Sequence, residues 1–306
     1  MAASASLNPQ PSVSMPAPGS IVNQYRIEQK LGEGATGVVF RAWDLRLRRP
    51  VALRFLGPEL QADQVTWGRR LHEARDVSRL NHPALCTIYE VAEDQGQVYI
   101  AMEYVTGRPL RQLLGRRGLA KETALLYGAQ LVAALAHAHE RAIIHGDIRS
   151  SNVMVTSGGA VKLLEPGLSL TMLGQTQLEK HASWEELREA GRPGGTLSYA
   201  APELLRGEPA SFQTDIWAFG VLLFEMVTGR LPFTGGTCSE VCLAILKRPT
   251  PPLLWHTGSS LAAIIQRCLR KDCRQRYAAA QEIRDDIQRI LISSREGQSI
   301  FSHAAA

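Results

Sequence analysis

From Tyr25 onward, short apolar runs alternate with polar residues. YRIEQKL, VVFRAW and VALRFL each repeat with a period of two and are separated by glycine-rich or basic turns, which is the pattern of antiparallel strands. From about Gln64 to Leu80 the period changes: Ala74, Val77 and Leu80 recur at near-helical spacing with charges between them, predicting one helix. Two more strand-like runs follow, around Thr87 to Val91 and Val98 to Tyr104. Beyond Thr106 long helical patterns take over, beginning with LAKETALLYGAQLVAALAHAHE, where Leu125, Ala129, Val132 and Ala136 line one face. DIWAFGVLLFEMV (Asp215 to Val227) is apolar nearly all round, which on a soluble helix means burial at the centre of a domain. Ile283, Ile287, Ile290 and Leu291 form the stripe of the last helix. The pattern is α+β, with a small β-rich lobe carrying one helix (24–104) and a larger, mainly helical lobe (105–292). There are no internal repeats.

The flanks differ from this. Residues 1–23 are Ala, Ser and Pro with almost no charge, too poor in large apolar groups to fold, and are expected to be a disordered leader. Residues 293–306 are expected to be a flexible tail that frays from the last helix.

Composition narrows the function classes. With 45% hydrophobic and 21% charged residues the chain is that of a soluble globular protein. Lys and Arg total 34 against 29 for Asp and Glu, and the resulting +5 is too modest to argue nucleic-acid binding. Arg46, Arg48 and Arg49, and Arg116 and Arg117, read as solvated turn faces. Five cysteines with no C-x-x-C pair argue against a disulfide framework and a zinc ribbon, so a reducing, cytoplasmic location is expected. His137 and His139 are two apart, diverge on a helix and read as helix-surface residues. No run approaches the ~18 to 20 apolar residues needed to span a bilayer, and the N-terminal residues lack a basic n-region and an apolar h-region.

The chemistry-bearing segments follow in order. LGEGATGVVF sets Gly32, Gly34 and Gly37 between two strands, where bare backbone can approach phosphate oxygens; a tight hairpin needs the same glycines. A dinucleotide-binding turn is disfavoured because a strand, not a helix, follows. VALRFL carries Arg54, LHEARDVSRLNHP carries Glu73, and IIHGDIRSSNVMV carries His145, Asp147, Arg149 and Asn152. KLLEPGLS carries Glu165 and Pro166, GTLSYAAPE carries Thr196 and Glu203, and CLRKDCRQRY carries Arg276.

Together, over residues 25–292, these segments resemble the protein kinase family, and VALRFLGPEL and AMEYVTG are similar to the soluble parts of bacterial receptor-type serine/threonine kinases. The resemblance implies a two-lobed kinase fold, an ATP site with Mg²⁺, and a protein substrate or signalling partner. It makes Asp147 the catalytic base, Asn152 a magnesium ligand and Arg149 the loop cation. Arg54 stands for the lysine that pairs with Glu73 and the phosphates. Glu165 stands for the metal-binding aspartate and Pro166 for the phenylalanine after it. Leu31, Val39, Ala52, Met102, Val105, Met154 and Leu164 become walls of an adenine pocket, with Glu103 in the hinge. Thr196 occupies the position typical of serine/threonine kinases, and Glu203 and Arg276 a structural ion pair. Gly146 replaces an arginine that meets phosphorylated activation loops, so Thr171, Thr176 and Ser183 are weak phosphosites.

The expectation is a pseudokinase or strongly impaired kinase that signals by binding. The alternative is a genuine but slow serine/threonine phosphotransferase. A small-molecule kinase of related fold comes third, disfavoured by the APE segment.

Overall fold

The computed structural model describes residues 15–34, 37–57, 77–167, 197–253 and 257–303. They form two compact units: residues up to 57 with Ile88–Tyr104, and residues 77–87 with those from Val105 on.

The first unit is an antiparallel sheet of β1 (Ile21–Val22), β2 (Tyr25–Gly34), β3 (Gly37–Asp44), β4 (Arg49–Leu56), β5 (Ile88–Asp94) and β6 (Gln97–Glu103) in the order β1-β2-β3-β4-β6-β5. Period-two alternation sends one set of side chains to one face. Register pairs Val38 with Phe55, Phe40 with Leu53, Leu53 with Ala101 and Phe55 with Tyr99. These residues, with Tyr25 and Ile27, form a buried cluster. Edge-to-face aromatic pairs lock it, Phe40 on Phe55 at 5.7 Å and Tyr25 on Tyr99 at 5.9 Å between centroids.

This sheet begins earlier than the leader assignment allows. Ile21 and Val22 pair with Arg26 and Tyr25, Gly19 N–H donates to Ile27 O at 2.8 Å, and Val22 is 8% exposed. Residues 17–23 are therefore part of the fold: an edge strand needs only backbone pairing and one buried side chain, which composition does not register.

The second unit holds a three-stranded sheet, β7 (Arg108–Pro109), β8 (Val153–Val155) and β9 (Val161–Leu163), in that order. Its helices are α1 (Leu110–Leu113), α2 (Lys121–His139), α3 (Pro202–Leu205), α4 (Phe212–Thr228), α5 (Cys238–Lys247), α6 (Ser259–Cys268) and α7 (Ala280–His303). α4 is the centre that its apolar sequence predicts: Trp217, Phe219, Val221, Leu222 and Leu223 are all 0% exposed, and α2 and α6 pack against it. A Ser211/Thr214 capping box starts α4 and Gly229, at φ +67°, ends it. Gly128 of α2 lies where α4 and α7 converge, since a Cβ there would sit 2.9 Å from Leu223 and 3.7 Å from Ile287.

Helix α7 runs to His303, past the expected end at 292; hydroxyls of Ser293 and Ser294 donate back to Arg289 O and Ile290 O. Of the helix predicted over 64–80, the end is described, with Val77 and Leu80 buried; 58–76 lie outside the described residues. Among the described residues no helix is long and apolar enough to cross a membrane.

Candidate active site

In the first unit, strand register assembles one group of candidate residues. Gly32 pairs with Val39 and Val39 with Arg54, one row across β2, β3 and β4. Ala52 lies two residues from Arg54 on the same face and pairs with Met102. This face is opposite the aromatic cluster. Ala52 and Met102 are 7% and 4% exposed, Val39, Arg54 and Glu103 are half-buried, and Leu31 is 45% exposed.

The three glycines separate. A Cβ on Gly32 would meet nothing within 4 Å, leaving the strand open above it. Gly37, paired with Gly34, has φ +129°, and a Cβ there would lie 1.8 Å from Phe55 O. Its identity is dictated by the approach of β4, so the tight-hairpin reading accounts for Gly37.

In the second unit the segment around Asp147 is held by buried groups. Asp215, 1% exposed at the start of α4, accepts from His145 N at 2.7 Å and Gly146 N at 2.9 Å. His139 Nε2 lies 2.9 Å from the same carboxylate, and its ring stacks on Phe212 at 4.5 Å. His139 is thus not the helix-surface residue its spacing suggested: its side chain is 6% exposed. A buried acid on the neighbouring helix, absent from any local pattern, draws it inward.

His145 joins this segment to the next. It is fully buried, and desolvation lowers its pKa against the opposing pull of Asp215 and Asp147, so the ring is neutral. Its Nδ1 accepts from Asp147 N at 3.2 Å and its Nε2–H donates to Leu164 O at 3.0 Å. Burial likewise lowers His82 and His137, whose rings face each other at 5.3 Å. The unfolded chain binds protons on these rings below about pH 6.5 while the folded chain resists, so stability falls as pH drops through that range. Melting temperatures recorded from about pH 7.5 down to about pH 5 check this; a flat profile contradicts it.

Asn152, 7% exposed, donates both amide hydrogens to Asp147, to Oδ2 at 2.6 Å and to the backbone oxygen at 3.0 Å. Its Oδ1 is left without a donor among the described residues. Arg149 Nε lies 3.0 Å from Asp147 Oδ1, so the three candidate residues of this loop stand together.

The Glu165 segment is pinned to the same loop. Leu164 N donates to Asn152 O at 2.8 Å and Gly167 N to His145 O at 3.1 Å. Between them Glu165 adopts φ +58°, the left-handed region that costs a non-glycine residue, and Pro166 is buried. Gly167, at φ +67°, has no room for a Cβ, which would lie 2.8 Å from Val77. Asn152 and Glu165, on adjoining pinned segments, are the oxygen-bearing side chains there whose hard-donor chemistry matches a Mg²⁺ ion. Val105, Met154 and Leu164 are half-buried in this unit, Met154 pairing with Pro109 and Lys162.

A second buried network adjoins the loop. Tyr199 hydroxyl donates to Glu225 Oε2, Ser150 Oγ to Glu225 Oε1 at 3.2 Å, and Tyr199 Oη and Ser150 Oγ are 3.1 Å apart. Burial raises the pKa of both Glu225 and Tyr199. Glu203 and Arg276 form the expected ion pair, bidentate at 2.6 and 2.7 Å, with both residues 3% exposed. Arg276 also donates to Arg270 O and Gln213 O at 2.8 Å each. Glu73 and Thr196 lie outside the described residues. Asp215, Glu225 and Ser150 are positioning residues that motif spacing did not single out.

The protein kinase domain family model matches residues 25–286, and the chain belongs to the protein kinase family. It is 32% identical over 272 residues to a probable serine/threonine-protein kinase of Clostridium acetobutylicum, covering 88% of this chain and 40% of the relative. It is 30% identical to serine/threonine-protein kinase PknB of Mycobacterium tuberculosis (95% and 48% covered) and 31% to PrkC of Bacillus subtilis (92% and 43%). Among solved structures, the Mycobacterium tuberculosis PknI kinase domain shares the fold, with a TM-score of 0.68 at 24% identity, covering 90% of this chain and 99% of that one. The chain spans less than half the length of these curated relatives. It is a serine/threonine protein kinase domain homologous to bacterial kinases, of a family that uses ATP and Mg²⁺ and acts on proteins.

Proposed function

We propose that this domain binds ATP, transfers phosphate slowly or not at all, and signals chiefly by binding a protein partner. One observation carries the reading: the departures from the family pattern, Arg54, Glu165 and Pro166, fall at positions the family uses for phosphate and metal, whereas Asp147 keeps its hydrogen bond from Asn152 and its ion pair with Arg149.

ATP supplies the γ-phosphoryl group and Mg²⁺ neutralises charge on the phosphate oxygens. Asp147 is the residue to accept or orient a substrate hydroxyl proton, and Asn152 Oδ1 with Glu165 the pair to hold the metal. Arg54 keeps a positive charge for the phosphates, but its planar fork is bulkier than a lysine ammonium. Glu165 reaches one methylene, roughly 1 Å, farther than an aspartate, while magnesium demands near-ideal octahedral distances. Its pinned neighbours and the fixed φ of Pro166 restrict any backbone shift that would take up the difference.

A misplacement of about 1 Å costs on the order of 10²-fold. Two independent losses of that size bring a kinase turnover of ~1 to 100 per second down to ~10⁻⁴ to 10⁻² per second. Nucleotide-induced thermal stabilisation tests the binding part: ATP raises the melting temperature and Mg²⁺ adds little. Absence of any ATP-dependent shift removes nucleotide binding from the account.

The second reading, a genuine serine/threonine protein kinase, is favoured by the 2.6 Å Asn152–Asp147 hydrogen bond, which keeps the hydroxyl-facing acid oriented.

A further inference from the structure

Between Val105 and Ala120 the chain carries Arg108, Arg111, Arg116 and Arg117 and no acidic residue. All four are exposed. The fold adds a fifth. Leu119 N donates to Met226 O at 2.7 Å, and Gly118, at φ +72°, lies so close to the end of α4 that a Cβ would sit 2.6 Å from Met226 O. From the other side Gly229 approaches the same turn, where a Cβ would lie 2.1 Å from Gly115 O and 2.9 Å from the Arg116 carbonyl carbon. Two glycines thus interlock backbone against backbone, and the exposed Arg230 directly follows the one that meets the Gly115–Arg116 backbone.

Four of the five lack an acidic partner among the described residues. Arg108, Arg116, Arg117 and Arg230 form no ion pair with a described residue. Arg111 acts on Glu225, whose two carboxylate oxygens are already engaged by Tyr199 and Ser150. Lys121 adds charge and Glu122 is the one exposed acid at the start of α2. Helix α1, which carries Arg111, packs on the turn Ser150–Asn152, so the patch borders the catalytic loop.

We infer that this surface is a docking site for an acidic polypeptide segment of a protein partner. Guanidinium forks match carboxylates bidentately; Arg116, Arg117 and Arg230 flank one interlocked backbone contact, and Arg108 and Arg111 on the neighbouring β7 and α1 extend the same charge toward a run of Asp or Glu. Residues 105–121 contain no aromatic side chain on which bases could stack, and the chain's +5 net charge is small, so nucleic acid is the poorer fit. The inference rests on the reading that the domain works by engaging a protein, and it names that protein's chemistry.

The test is binding of a fluorescent Asp/Glu-rich peptide to the full chain, by anisotropy and without ATP, so that phosphotransfer plays no part in the outcome. The acidic peptide is expected to bind and an equally long neutral Ser/Gly peptide not to. Arg116→Glu with Arg117→Glu weakens binding by about tenfold or more, as does raising salt from about 50 to about 200 mM. Arg46→Glu with Arg48→Glu, on the other unit, leaves binding unchanged. An unaltered melting temperature in both double variants shows that each is folded; if the Arg116/Arg117 pair unfolds, Arg230→Glu is read in its place with the same expectation. Equal binding of the neutral peptide, indifference to Arg116, Arg117 and Arg230, or preference for duplex DNA or anionic vesicles over the peptide overturns the inference.

Discussion

Arg54→Lys and Glu165→Asp combined raise phosphotransfer by about 10²- to 10⁴-fold over the natural chain, measured as phosphate incorporated into a generic protein substrate. The reasoning is geometric. Catalysis of this transfer is positioning plus charge stabilisation, and both substitutions restore reach without changing charge. The single changes give less than the pair, because each removes only one of the two losses. The acceptor side needs no repair: Asn152 and Arg149 already hold Asp147, and Asp215 fixes the amides of His145 and Gly146 beside it. A double variant no faster than the natural chain means that the departures lie elsewhere.

Arg276→Ala destabilises the fold by about 3 to 5 kcal/mol, the cost of leaving one member of a buried pair uncompensated. Glu203, 3% exposed, loses both guanidinium bonds, and the carbonyls of Arg270 and Gln213 lose their donor. Glu203→Ala reverses the imbalance and meets a second cation. Lys271, whose pKa is pushed down to about 8 by burial and then by Arg276, lies 3.6 Å from the Phe233 ring centroid and 5.0 Å from that of Trp217, over which Arg276 also sits. Urea unfolding measures both variants. A loss below about 1 kcal/mol in either, the size of a surface ion pair, contradicts the assigned role.

The strands were legible because period-two alternation is local, and β2, β3, β4, β5 and β6 fall where apolar alternation put them. Asp215 was not. DIWAFGVLLFEMV reads as a core helix, and nothing in its pattern says that the acid at its start accepts from amides 69 and 70 residues earlier. Glu225 was hidden similarly inside an apolar helix whose partners Tyr199 and Ser150 come from two distant loops. Arg276 was legible only through family resemblance, since an isolated arginine in a basic run carries no sign of burial. The early start of the sheet and the extended α7 were missed because composition sees side chains, while backbone pairing at Ile21 and hydroxyl bonds at Ser293 do not depend on it. Arg116 and Arg117 are the exposed turn residues their pattern predicted, but the packing of Gly118 and Gly229 that sets Arg230 next to that turn leaves no trace in local sequence.

The central claim is a kinase domain intact toward the acceptor hydroxyl and altered toward phosphate and metal. Its most direct test is the steady-state turnover of the natural chain with ATP, Mg²⁺ and a protein substrate, beside Asp147→Ala. The account expects ~10⁻⁴ to 10⁻² per second or less, with any residual activity lost in Asp147→Ala. Turnover of about 1 per second or more, abolished by Asp147→Ala, contradicts it.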